Sequence, residues 1–158
     1  MKKRLLSFLL TGSLLLMLLP TAALAEDTAA LSGGELLTKD NISTYVNDGL
    51  GNNTYVLSED ITVESGSLKF SGTASLDLSG HTLTFTNPDQ TKIPYENGSA
   101  QFSLNAGIVV YGTMTLTDSS TNHSGMLDVP GTGSTGVLVA PNATFTMKGG
   151  TITNSTSG

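Results

Sequence analysis

Three short runs decide the reading of this chain: Thr82-Leu83-Thr84-Phe85-Thr86, Thr113-Met114-Thr115-Leu116-Thr117 and Thr144-Phe145-Thr146-Met147-Lys148. They begin at 82, 113 and 144, a constant step of 31 residues. Each alternates polar with large apolar side chains, the signature of a strand with one buried face. The alternation sends Leu83, Phe85, Met114, Leu116, Phe145 and Met147 inward and the threonines outward. Read as one repeat, the copies stack and place Leu83, Met114 and Phe145 above one another.

Working outward, each run is preceded by a second apolar segment and a tight turn. Leu76-Asp77-Leu78, Ile108-Val109-Val110 and Val137-Leu138-Val139 are these segments. Met126-Leu127-Asp128-Val129 and Thr151-Ile152-Thr153 read as a third strand of each copy, and the polar stretch 87–100 as a loop bulging from the stack. Several short strands per period of this length mean a solenoid, whose single turns cannot bury their apolar faces alone. Upstream, Leu36, Leu37, Ile42, Tyr45 and Val46 recur at roughly helical spacing between Gly34 and Asn47, and Asp48-Gly49 stops the segment. A short helix there would cover the open N-terminal end of the core. The expected fold class is all-β, a parallel β-helix with a short N-terminal capping helix.

The first residues are set apart. Lys2, Lys3 and Arg4 precede an apolar run from Leu5 to Leu19, Pro20 breaks it, and Ala23-Leu24-Ala25 presents small residues where a signal peptidase reads. The run is shorter than the ~20 residues a membrane span needs. Residues 1–25 are therefore expected to be a secretory signal peptide, 26–53 a lead-in and N-terminal cap, and 54–158 the solenoid. The next strand of the period would fall beyond Gly158, so the chain is expected to be the first part of a longer solenoid. No second long apolar segment follows, so no integral membrane segment is expected after cleavage.

Without the leader, four lysines (39, 69, 92 and 148) face all 13 acidic residues, 4 − 13 = −9, and no arginine remains. A surface this acidic does not neutralise a phosphate backbone, which excludes nucleic acid as an expected partner. The absence of cysteine is no argument against export, because stacked repeats do without disulfides.

Two stretches carry a resemblance that spans 36–158. Tyr55-Val56-Leu57-Ser58-Glu59-Asp60-Ile61-Thr62-Val63, followed by Leu76-Asp77-Leu78-Ser79-Gly80-His81-Thr82-Leu83, resembles the opening of right-handed β-helix proteins of the pectate-lyase-like superfamily. Thr144-Phe145-Thr146-Met147-Lys148-Gly149-Gly150-Thr151-Ile152-Thr153-Asn154 is similar to the repeat unit of large bacterial β-helical surface proteins. The resemblance implies a right-handed solenoid. It leaves activity open, because lyases, hydrolases and adhesive stalks share that architecture.

For carbohydrate chemistry the candidates are Asp77, Asp118 and Asp128. No arginine and no adjacent lysine accompanies them, so the sequence reads them as solvated surface carboxylates and assigns no catalytic residue. His81 and His123 sit in turns without metal-ligand spacing. Asp118-Ser119-Ser120-Thr121-Asn122 invites a calcium loop, but His123 stands where such a loop has glycine and Val129 where it has glutamate. Outward threonine ladders are also found on ice-binding solenoids, although β-branched, soluble side chains suit any exposed strand. No metal or cofactor is expected. The expected function is a secreted or cell-surface scaffold of bacterial type, adhesin-like or carbohydrate-binding, facing extracellular or cell-wall carbohydrate or a host surface. The alternative is the first part of a polysaccharide lyase or glycoside hydrolase whose site lies downstream.

Overall fold

The structure, a computed structural model, describes residues 34–94 and 101–154. The expected leader, its cleavage site and the lead-in to Gly33 lie outside them.

The described chain is predominantly β with one helix. Its elements are β1 (Glu35–Leu37), α1 (Ile42–Asp48), β2 (Thr54–Leu57), β3 (Ile61–Val63), β4 (Leu68–Phe70), β5 (Thr73–Asp77), β6 (Thr82–Phe85), β7 (Gln90–Pro94), β8 (Gln101–Val110), β9 (Thr113–Thr117), β10 (Met126–Asp128), β11 (Ser134–Val139), β12 (Thr144–Met147) and β13 (Thr151–Thr153). They form three sheets. Sheet 1 has the order β1-β2-β5-β9-β12, sheet 2 β3-β6-β10-β13 and sheet 3 β4-β8-β11. Every pairing in them is parallel except that of β7, which lies antiparallel on β8. Following the chain from β2, it visits sheets 1, 2 and 3 in that order and then returns to sheet 1. A parallel β-helix is compatible with this order.

The register corrects the repeat. Thr113 does pair with Thr144 and Met114 with Phe145, as the 31-residue step requires. The first run, however, belongs to a different sheet. Leu83 of β6 lies between Ile61 and Leu127 in sheet 2, and the partner of Met114 on its other side is Ala74 of β5. Successive strands of sheet 1 are 21 residues apart (Thr54 to Ser75), then 40 (Thr73 to Thr113), then 31 (Thr113 to Thr144). The middle turn is long because it carries the β7–β8 hairpin. The first step of 31 was a coincidence, since strands of all three sheets carry the same alternation. Alternation identifies a strand and its buried face, but not its sheet.

Inward side chains form continuous columns: Tyr55–Leu76–Leu116–Met147 in sheet 1, Ile61–Leu83–Leu127–Ile152 in sheet 2 and Leu68–Ile108–Val137 in sheet 3. Most of these residues are fully buried and belong to one core with Phe70 and Phe85. At roughly 1.5–3 kcal/mol for each buried large apolar side chain, the columns are the main favourable term of the fold.

Two other expectations change. The helix is confined to Ile42–Asp48, and Glu35–Leu37 is a strand paired on β2. Leu37 is buried and Leu36 is 45 % exposed, an alternation too short to be read as period two. α1 packs Ile42, Tyr45 and Val46 against the N-terminal end of the core. Gly66 makes room, since a Cβ there would stand 2.3 Å from Val46 Cγ1. The segment after Asn87, expected as a loop, contains β7, and residues 95–100 lie outside the described residues.

Candidate functional site

Asp77 ends β5 and Asp118 follows β9, the next strand of sheet 1, so the register brings their two corners together. The corners exchange hydrogen bonds. The Ser119 N–H donates to Asp77 Oδ1 (2.9 Å), and the Gly80 N–H donates to Asp118 Oδ1 (2.8 Å). Asp77 Oδ1 also accepts from the Ser79 N–H of its own turn (2.9 Å). Ser79 and Gly80 both have positive φ, 49° and 83°, which aims their N–H groups at these carboxylates.

Asp118 is the more enclosed. It is only 6 % exposed, which contradicts its reading as a solvated surface group. Oδ1 further accepts from the Ser120 hydroxyl (2.7 Å) and N–H (3.2 Å), while Oδ2 accepts from the Gly125 N–H (2.7 Å). Burial alone would raise its carboxyl, but the bonds from Ser120, Gly125 and Gly80 outweigh that and hold it below the usual carboxylate range. Glycines wall it in: a Cβ on Gly125 would lie 2.8 Å from Oδ2, and one on Gly149 would lie 2.9 Å from the Asp118 nitrogen. The carboxylate thus holds the 118–125 corner closed, and the position that suggested a calcium loop is filled by N–H donors.

Asp128 stands on sheet 2, where its Oδ1 accepts from the Thr153 hydroxyl of the next turn (2.7 Å). His81 Nδ1, partly buried, lies 3.5 Å from Oδ1 of the exposed Asp60. His123 Nδ1 is 3.2 Å from the Asp118 carbonyl oxygen in a left-handed turn. Among the described residues no group of three or more His, Cys, Asp or Glu side chains is placed to hold a metal ion.

The sequence reading missed a polar hollow of about 430 Å³ on the outer face of sheet 1, lined by Asn52, Asn53, Thr54, Thr73, Ala74, Ser75 and Thr115. It arises where the outward residues Thr54, Ser75 and Thr115 line up across β2, β5 and β9. The signal was present in Thr73-Ala74-Ser75-Leu76, which alternates like the three chosen runs, but Ala74 is too small to mark an inward position.

No known protein family, curated protein or solved structure matches this chain.

Proposed function

We propose that the chain winds as a right-handed parallel β-helix closed at its N-terminal end by α1, and that it serves as a secreted or cell-surface scaffold. In this reading it is adhesin-like or carbohydrate-binding, and the described segment carries no catalysis. The cyclic visiting of three parallel sheets supports the winding, and the leader pattern at 1–25 supports export.

The observation that carries the non-catalytic reading is the engagement of the three candidate carboxylates, Asp77, Asp118 and Asp128. Hydrolysis or elimination of a glycan needs carboxylates, or a carboxylate with a base, free to meet substrate. Asp118 is enclosed with four donors around it, Asp77 holds two backbone N–H groups, and Asp128 takes the Thr153 hydroxyl. These bonds join corners and turns, which is the work of a scaffold.

The test is retention and turnover together. The purified protein is incubated with insoluble neutral and acidic polysaccharides, and both bound protein and newly released reducing or unsaturated ends are measured. Retention on at least one polymer without release is expected. Release by the wild type that disappears in a folded Asp77→Asn protein would overturn the reading.

A further inference from the structure

From the hollow on sheet 1 we infer that the scaffold has a binding site for a neutral polyhydroxylated chain, a segment of uncharged glycan; the inference rests on the scaffold reading and gives it a ligand class. Every side chain of the lining except Ala74, which points inward and is 6 % exposed, ends in a hydroxyl or a carboxamide. Groups that both donate and accept match sugar hydroxyls, which do the same. A charged ligand would find no counter-charge in the lining, and an apolar one would leave these groups unpaired. The volume of about 430 Å³ lies in the range of small-molecule sites, roughly 300–1,000 Å³.

Four of the polar side chains, Asn52, Asn53, Thr54 and Ser75, are held in place before any ligand arrives. Asn52 Oδ1 accepts from the Thr73 N–H (2.6 Å), and its carboxamide lies against Gly72, where a Cβ would come within 2.3 Å. Asn53 donates through Nδ2 to Glu35 Oε2 (3.1 Å) and accepts from the Thr54 N–H (2.8 Å). The Ser75 hydroxyl donates to Thr54 Oγ1 (3.0 Å), which leaves the Thr54 proton free to donate. These bonds leave Asn52 Nδ2 and the Thr54, Thr73 and Thr115 hydroxyls as the groups that face a ligand. Side chains fixed in this way lose little freedom on binding. The two carboxamides, which threonine-only arrays lack, favour a glycan over ordered water.

The test is a titration of the ¹⁵N-labelled protein with cellotetraose, xylotetraose, mannotetraose and the tetramer of N-acetylglucosamine, with tetragalacturonate as the charged control. Expected are resonance shifts at the Asn52 carboxamide and at the Thr73 and Thr115 amides for at least one neutral oligomer. Thr73→Val and Thr115→Val keep the β-branched shape and remove one hydrogen bond each. Each should weaken binding about three- to tenfold without moving the melting transition. Three results would overturn the inference: no shifts with any neutral oligomer, shifts unchanged in both valine variants, or tighter binding of tetragalacturonate. Shaping of ice crystals that Thr115→Val abolishes would also overturn it, giving the face to ordered water. None of these outcomes bears on turnover, so the non-catalytic reading stands or falls separately.

Discussion

At Asp118, one side chain supports three separate segments: its own turn, the Gly80 corner of the preceding strand and the Gly125 end of its loop. Asp118→Asn keeps the shape but sets an amide donor against an N–H. We expect a loss of about 2–3 kcal/mol in urea denaturation, the scale of hydrogen bonds to a charged group. The pH dependence follows from the lowered carboxyl. Its contribution is complete above the unfolded value of about 3.9 and is lost as the pH falls through the lower folded value. The wild type should therefore lose stability below that unfolded value more steeply than Asp118→Asn; parallel acid limbs would refute the assignment. Tyr45 offers a second check. Its hydroxyl donates to Glu35, which holds the phenol up to about 12. In an ultraviolet titration Glu35→Gln should return that tyrosine toward 10, and an unchanged curve would count against the bond. None of this was legible in the sequence. The spacing of Asp118 from Gly80 and Gly125 says nothing of a corner that folds back on its own carboxylate.

Elements were legible where alternation was long and lost where insertions changed the step. β9, β12, β10 and β13 follow from their patterns, as does a helix near Ile42. The sheet of β6 did not, because the β7–β8 hairpin lengthens one turn to the point where Thr82 mimics the next repeat. β1 is too short for its period to show. What fixes the register instead is close stacking at the corners. A Cβ on Gly112 would lie 2.1 Å from the Gly72 carbonyl oxygen, whereas one on Gly51 meets nothing within 4 Å. Gly112→Ala should therefore lower the unfolding free energy in urea denaturation by about 3 kcal/mol or more, for a forced backbone shift in a packed region. Gly51→Ala should stay within about 0.5 kcal/mol. Equal effects at the two glycines would contradict the stacking.

At the scale of the molecule, stability rests on columns of inward side chains supported by neighbouring turns. Met114 and Leu116 are fully buried, whereas Met147, in the last described turn of the same sheet, is 43 % exposed. The parallel three-sheet class was readable because every turn repeats one physical problem, an apolar face that only a neighbour covers. The polar hollow was not, because it depends on which strands are neighbours. That neighbour relation is the central claim, and the chain's lack of cysteine allows it to be measured directly. Paired cysteines bridge only when their Cα atoms lie about 4.4–6.8 Å apart, which adjacent strands satisfy. Under mild oxidation the Thr73→Cys/Thr113→Cys and Thr113→Cys/Thr144→Cys proteins should form intramolecular disulfides, as these residues are register partners in sheet 1. Thr82→Cys/Thr113→Cys, whose residues lie in different sheets, should not. A bridge between 82 and 113 with none between 73 and 113 would contradict the fold described here.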